Sequence, residues 1–149
     1  MKNLRRNHNH GFTLIEILVV VIMISILSAV AAASYRSYVV DARRKALTEN
    51  LMYLQQQIED FYLINHTYEN ACSVAHKGVD CSGSKDVKSH YTINYSISTV
   101  SGRDTYTLVA NAIGSQKSSD HDCQYLFLRR NGERGGGVDA STASVNNCW

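Results

Sequence analysis

An uninterrupted apolar run from Phe12 to Ala33 constrains this chain more than any other feature. Glu16 is the single charged residue within it. At ~1.5 Å per residue, a helix over this run reaches roughly 33 Å, which is enough to cross the ~30 Å hydrocarbon core of a bilayer. The run therefore predicts a helix that spans a membrane or packs against other helices, unless it is removed as a secretory signal.

The positive charge of the chain is concentrated before this run. Residues 1–11 contain Lys2, Arg5 and Arg6 and no acid, so their net charge is +3. Because the net charge of the whole chain is +2, residues 12–149 have a net charge of −1. The positive-inside rule then places the N-terminus in the cytoplasm and the rest of the chain outside it. The basic pI belongs to the leading segment. The remainder has no overall charge that would attract nucleic acid.

Two sites of processing compete in this region. A secretory signal peptide would be cut after the run, where the small residues Ala31 to Ala33 could serve as the cleavage site. Against this, the carboxylate of Glu16 costs a few kcal/mol inside an apolar segment unless it is paired. Cleavage after Gly11 would instead create an α-amine at Phe12, and the amine of a neighbouring copy could neutralise Glu16. We favour cleavage after Gly11.

The junction itself supports this choice. The segment GFTLIE from Gly11 to Glu16, between a short basic leader and an apolar helix, resembles the class III leader of type IV prepilins. The resemblance implies cleavage by prepilin peptidase between Gly11 and Phe12, and N-methylation of Phe12. It also implies that Glu16 lies opposite a neighbour's N-terminus in the filament. Ala33 replaces a proline common in pilins, and Ser25 a common glycine, so the usual kinking devices are missing.

The apolar pattern changes after the run and becomes one-sided. Three- and four-residue spacing predicts an amphipathic helix up to about Asn65. The apolar positions are Tyr35, Tyr38, Val39, Ala42, Ala46, Leu47, Leu51, Leu54, Ile58, Phe61 and Tyr62. Nothing breaks the pattern between Phe12 and Tyr62, which predicts one helix of about fifty residues. Arg43, Arg44 and Lys45 are expected to form a solvated face just outside the membrane.

The C-terminal part predicts a small antiparallel sheet. Alternating residues indicate strands at His90–Ser98, Thr105–Ala112 and Cys123–Arg129, and Gly135–Gly137 is expected to be a flexible connection. We therefore expect an α+β fold, with three or four strands laid on the amphipathic half of the helix. Together with the resemblance, this is a type IV pilin fold with three parts: a leader at 1–11, a transmembrane and filament-core helix at 12–35, and a globular head at 36–149.

The four cysteines lie in the part of the chain that is predicted to be exported, where disulfides form. Three pairings are open, and the shortest closed loops favour Cys72–Cys81 and Cys123–Cys148. Each disulfide would stabilise the head by roughly 2–4 kcal/mol. A zinc site is the alternative, because four histidines lie in this part of the chain: His66, His76, His90 and His121. The chain has no CxxC pair and its ligand spacing is irregular, so we expect neither a metal nor another cofactor.

A second resemblance lies at the C-terminus. The segment CQYLFLRRNGERG from Cys123 to Gly135, with the terminal Cys148-Trp149, is similar to PilE-type minor pilins, in which it forms a disulfide-bounded loop. It implies a structural subunit that takes part in assembly or priming of a type IV pilus, and so in twitching motility and attachment. The implied partners are major and minor pilins, prepilin peptidase, the inner-membrane assembly machinery and, before assembly, membrane lipid. The implied location is the inner membrane and then the extracellular pilus.

Other functions have weaker support in the sequence. No catalytic triad order, nucleophile elbow or phosphate loop is present, and Asp120 to Cys123 is expected to be a surface loop, so no catalytic residue is predicted. A pseudopilin of a type II secretion system shares the leader and the long helix. Such pseudopilins typically bind calcium and lack the C-terminal disulfide loop. An adhesin that contacts host surfaces is neither supported nor excluded.

A DNA-binding competence pilin is the remaining alternative. Such a head needs a basic stripe, but residues 46–149 carry a net charge of −3. Nucleic acid is therefore an unlikely partner on the basis of charge. Arg129, Arg130 and Arg134, beside Tyr125, could still form a local patch and make a weak contact with it.

Overall fold

A computed structural model of the chain describes residues 12–100 and 102–149, so Gly11 of the predicted cleavage site lies outside the described residues. Helix α1 runs without interruption over Leu14–Asn65. This confirms the single long helix that the sequence predicts. The chain divides into two compact units, one ending at Tyr38 and the other Val39–Trp149.

The N-terminal unit is the apolar half of α1. Its large apolar side chains from Leu14 to Leu27 are exposed, and the helix is long and apolar enough to cross a membrane by length and composition. Thr13 caps its first turn, because the Thr13 hydroxyl accepts a hydrogen bond from the amide of Glu16 at 3.3 Å. Glu16 is exposed in the first turn, where a carboxylate also suits the helix dipole.

The second unit contains a five-stranded antiparallel sheet with the strands in sequence order. Its strands are β1 Tyr91–Val100, β2 Arg103–Ala112, β3 Tyr125–Arg129, β4 Arg134–Gly137 and β5 Ser144–Val145. Two short helices flank β1 and β2, namely α2 Lys85–Lys88 and α3 Gly114–Ser119. The α+β architecture is confirmed, with one strand more than the maximum of four that the sequence indicated.

The core lies between one face of α1 and one face of the sheet. Four helix residues form the helical side, and all are buried: Leu47, Leu51, Leu54 and Ile58. The inner face of the sheet supplies the other side, with Tyr91, Tyr106, Leu108, Ala110, Ala112, Leu126 and Leu128. Each large apolar side chain buried here contributes roughly 1.5–3 kcal/mol. The amphipathic half of α1 thus determines which face of the sheet is covered.

The prediction of a flexible connection at Gly135–Gly137 is wrong, because these glycines form most of β4. The C-terminal segment packs directly on their backbone. A Cβ on Gly135 would lie 2.1 Å from the carbonyl oxygen of Ser144, and one on Gly136 would lie 2.6 Å from that of Tyr125. The glycines are needed for close approach and not for mobility.

The structure contains the two disulfides that the loop lengths favoured, Cys72–Cys81 and Cys123–Cys148. The first closes a loop between α1 and β1. The second ties the C-terminus to the segment that leads into β3. There the indole nitrogen of Trp149 donates a hydrogen bond to the carbonyl oxygen of Gly135 at 2.9 Å.

We predict that Gly136→Ala destabilises the second unit by about 3 kcal/mol, because the added methyl group overpacks against Tyr125 and Cys148. Gly132→Ala is the control. Gly132 has a positive φ of 82° with no atom within 4 Å of a built Cβ, so that change should cost only about 1 kcal/mol. Urea unfolding of the full chain in detergent, followed by the fluorescence of Trp149, measures both. Equal losses would contradict the close-approach role of Gly136.

Candidate functional site

The outer face of the sheet, which points away from α1, is the main candidate surface. The strand registers arrange its residues in rows that cross the strands. These rows are Thr92–Asn111–Tyr125, Asn94–Val109–Phe127, Ser96–Thr107–Arg129, Ser98–Thr105 and Val100–Arg103. We call this set of residues the outer face. On β1 all five of its members are exposed, whereas Phe127 on β3 is buried, so this face is open chiefly along β1.

The composition of the outer face differs from that of the head as a whole. Although residues 46–149 carry a net charge of −3, none of the residues in these rows, all in described strands, is a carboxylate. Hydroxyl and amide side chains predominate, and Arg103 and Arg129 supply two positive charges. A surface of this kind can donate hydrogen bonds to an anion with no carboxylate in its own rows. Carboxylates near these rows include Glu133, which pairs with Arg129, and Asp80, which lines the same pocket as Asn94.

Further cations lie at the end of the sheet where β1 begins and β2 ends. The amide of Ile113 donates to the carbonyl oxygen of His90 at 2.8 Å, which places the start of α3 beside the start of β1. Arg43 of α1 donates to the hydroxyl of Ser115 at 3.4 Å. Lys117, in the next turn of α3, is exposed. Lys117 is therefore an exposed cation near this end of the sheet, whereas Arg43 is half-buried on α1, which packs on the opposite face.

A buried side chain holds α3 in place. Gln116 is fully buried, and its amide nitrogen donates to the carbonyl oxygen of Val40 at 3.3 Å and to a carboxylate oxygen of Asp120 at 3.2 Å. The neighbouring Lys117 consequently has a fixed backbone position, although α3 is only six residues long.

Arg44 and Asp120 form a bidentate ion pair whose carboxylate is buried. The guanidinium donates to both carboxylate oxygens, at 2.8 and 3.1 Å, and the Asp120 side chain is only 2% exposed. Asp120 also accepts a hydrogen bond from the amide of Cys123 at 3.1 Å. Two expectations are therefore corrected: Arg44 is not part of a purely solvated face, and Asp120 is not a surface loop residue. Asp120 can be buried because its carboxylate pairs with an arginine that lies far away in the sequence.

The three arginines expected to form one patch have separate surroundings. Arg129 pairs with Glu133 and lies over the ring of Phe127, 5.0 Å from its centroid. Arg134 lies over the ring of Trp149 at 5.3 Å. Only Arg129 belongs to the rows of the outer face.

Arg130 has a structural environment on the other side of the sheet. Its guanidinium lies 3.6 Å from Glu59 and over the rings of Tyr62 and Tyr68, at 5.9 and 5.3 Å from their centroids. The pKa of Tyr68 is raised to about 12, chiefly by burial and next by the hydrogen bond that the Tyr68 hydroxyl donates to Glu59. Arg130 thus helps to pack the end of α1 against the sheet and is a poor candidate for binding an external anion.

The remaining candidate residues lie apart from this surface. Phe12 is 78% exposed, and it belongs with Glu16 to the N-terminal unit. Among the described residues, no group of three or more His, Cys, Asp or Glu side chains is placed to hold a metal ion. The side chain of His76 accepts or donates a hydrogen bond with Ser73 at 2.9 Å.

The alternation in the sequence already separated Thr92, Asn94 and Ser96 from the apolar residues of the same strand. What the net charge concealed is the distribution of the acids. They lie on α1 and α2, in loops and turns and, in the case of Asp104, on the opposite side of β2, but not in the rows of the outer face. Counting charge by strand face, instead of over the whole head, would have identified this surface.

Two family models match the chain. The model described as type IV minor pilin ComP, DNA uptake sequence receptor, matches residues 33–127, which is more than half of the chain. The model described as prokaryotic N-terminal methylation motif matches residues 6–32. No curated protein and no solved structure matches significantly. Both family matches agree with the class of protein that the segment from Gly11 to Glu16 resembles.

We predict that Arg44→Ala lowers the free energy of unfolding by about 3–5 kcal/mol, because it leaves the buried carboxylate of Asp120 unpaired. Lys45→Ala removes the adjacent exposed cation and should change stability by less than about 0.5 kcal/mol. Urea unfolding of both variants of the full chain in detergent tests this. A loss for Arg44→Ala as small as that for Lys45→Ala would show that the pair does not stabilise the unit.

Proposed function

Because the chain belongs to the ComP family of type IV minor pilins, we propose that it is a structural subunit whose head captures DNA at the surface of the pilus. The proposal has two parts. The N-terminal unit joins the subunit to the filament, and the outer face of the sheet binds the DNA. The first part is supported by the methylation motif and the exposed apolar helix, and the second by the charge of the outer face.

The proposed maturation begins at the leader. Prepilin peptidase cuts after Gly11 and methylates the new α-amine of Phe12. The leader stays in the cytoplasm, the apolar helix spans the inner membrane, and the head faces the periplasm until assembly. The concentration of basic residues before the helix supports this orientation, because the positive-inside rule keeps such a segment in the cytoplasm.

Assembly depends on Glu16. An ionised carboxylate in an apolar segment costs a few kcal/mol unless a cation is close. The α-amine of Phe12 from a neighbouring subunit is such a cation, because both groups lie near the start of the apolar segment. The pair sets the axial position of one helix relative to the next. The partners in this step are other pilins and the inner-membrane assembly machinery.

The proposal that the head binds DNA rests chiefly on one observation: the outer face has no carboxylate, although residues 46–149 carry a net charge of −3. Phosphate contacts supply most of the affinity of a protein for DNA, and one unfavourable carboxylate at the interface weakens it. The low net charge of the head argued against nucleic acid. The distribution of that charge removes the objection for this face.

The dimensions of the outer face suit a short duplex. From Asn111 to Arg103, strand β2 extends about 26 Å, at ~3.3 Å per residue. That length corresponds to about eight base pairs, at 3.4 Å each. Arg103 lies at one end of this length, Lys117 lies on α3 near the other end, and Arg129 lies opposite Thr107 at its middle. Phosphates at either end of such a segment would each meet a positive charge.

We predict that Glu16→Val preserves membrane insertion and leader cleavage but abolishes incorporation into pili, because the α-amine of the neighbouring subunit loses its partner. Glu16→Asp keeps the charge and should retain part of the incorporation. Immunoblots of sheared filaments and of membranes measure both steps. Normal amounts of the Val variant in sheared filaments would exclude the pairing role of Glu16.

We predict that Lys117→Ala and Arg129→Ala each weaken binding of duplex DNA to the full chain in non-ionic detergent. Each should also reduce the slope of log affinity against log salt concentration by about 1, since one phosphate contact is lost. Lys77→Ala removes an exposed cation from the Cys72–Cys81 loop, away from the outer face, and should leave the slope unchanged. Fluorescence anisotropy at several salt concentrations provides the data. Equal effects of all three changes would contradict binding on the outer face.

A further inference from the structure

Strands β1 and β2 extend beyond the rest of the sheet. Strand β3 ends its pairing at Thr107↔Arg129, whereas β1 and β2 stay paired as far as Val100↔Arg103. Beyond the Ser96–Thr107 row, the two strands therefore form a ribbon without a third strand. Its residues on the outer face at this end are Ser98, Val100, Arg103 and Thr105, and each is exposed or half-buried.

We propose that the β1–β2 ribbon enters the major groove of duplex DNA, where Arg103 reads a base edge, and that Asn94 reads a second base edge from the same face of the edge strand β1, in the part of the sheet where β3 is also paired. This inference rests on the proposed DNA-binding function and assigns sequence selectivity to particular residues within it. Lys117 and Arg129 then position the duplex through its phosphates. The ribbon, in contrast, distinguishes one sequence from another.

The width of the ribbon is compatible with this mode. Two paired strands lie about 4.8 Å apart, and a two-stranded antiparallel ribbon fits a major groove about 12 Å wide. Neither short helix offers an alternative reader, because α2 has four residues and α3 has six.

The side chains on this face have the chemistry of base recognition. The side-chain amide of Asn94 can donate to N7 of adenine and accept from its N6 amino group, and the guanidinium of Arg103 can donate to O6 and N7 of guanine. Ser96, Ser98 and Thr105 add hydroxyl groups between them. These residues share one face because their positions alternate along paired strands.

The one carboxylate on the free part of the ribbon does not interfere with this face. Asp104 follows Arg103, so its side chain points to the opposite side of the strand. It accepts a hydrogen bond from the hydroxyl of Thr99 at 3.0 Å, across the same side of the ribbon. Arg103 is thus left on the outer face without a carboxylate beside it on that face.

The spacing of the two readers limits the site they could recognise. Asn94 lies in the second row and Arg103 in the fifth, so six residues of β1 separate the rows, or about 20 Å. A ribbon that follows the groove would therefore contact an adenine and a guanine roughly four to six base pairs apart. A continuous site of this length is a specific consequence of the strand register.

Selection from a duplex library with randomised central positions tests the proposal. The full chain in non-ionic detergent is incubated with the library, and bound duplexes are recovered and sequenced. We expect the wild type to enrich a motif. Asn94→Ala should reduce the preference at an adenine position about tenfold, and Arg103→Lys should do so at a guanine position. Since Lys keeps the charge, the affinity of Arg103→Lys for unselected duplex should stay within about twofold of the wild type.

Gln56→Ala is the matched control, because Gln56 is an exposed amide on α1, away from the outer face, and its loss should leave the motif intact. Near-ultraviolet circular dichroism checks that each variant is folded. Base reading by Asn94 and Arg103 is refuted, while DNA binding stands, if the wild type binds duplexes but enriches no motif. The same conclusion follows if Asn94→Ala and Arg103→Lys both retain the full motif. If the wild type binds no duplex, the proposed DNA-binding function falls as well.

Discussion

The packing of α1 against one face of the sheet determines the rest of the second unit. Leu47, Leu51, Leu54 and Ile58 occupy one side of the helix, and the apolar residues of β1, β2 and β3 lie against them. Because strand side chains alternate, covering one face leaves the intervening residues on the other. The rows from Thr92 to Arg103 are therefore open as a direct result of the core, and a shift of one residue in register would exchange the two faces.

Polar interactions at the ends of this core fix its boundaries. At one end, Arg44 and Asp120 join α1 to the segment after α3. At the other end, Glu59 accepts hydrogen bonds from the hydroxyls of Tyr68 and Tyr106 at 2.9 and 3.0 Å. In these contacts, charged groups of the head form ion pairs and hydrogen bonds with other residues of the head. The rows of the outer face contain none of the carboxylates of residues 46–149, which explains how this part of the chain can present a surface suited to an anion despite its net charge of −3.

The sequence predicted the parts of the fold that depend on periodicity. The long helix, the three main strands and their inward faces follow from spacing, and the prepilin junction follows from a short, ordered motif. The partners of Arg44 and Arg130 could not be read in the same way, because they lie far away in the chain and are brought close only by the packed sheet. The triple glycine was misread for a related reason. Composition alone does not distinguish a mobile glycine from one that admits a neighbouring backbone.

The division of the molecule into two units corresponds to the two proposed tasks. Titration of the isotope-labelled full chain in detergent micelles with duplex DNA, followed by two-dimensional NMR, tests their separation most directly. The largest shift changes are predicted at the outer-face residues of β1 and β2, including the side-chain amides of Asn94 and Asn111, and at Arg129. Changes concentrated instead in the Cys72–Cys81 loop or along the exposed side of α1 would contradict the assignment of DNA capture to the outer face.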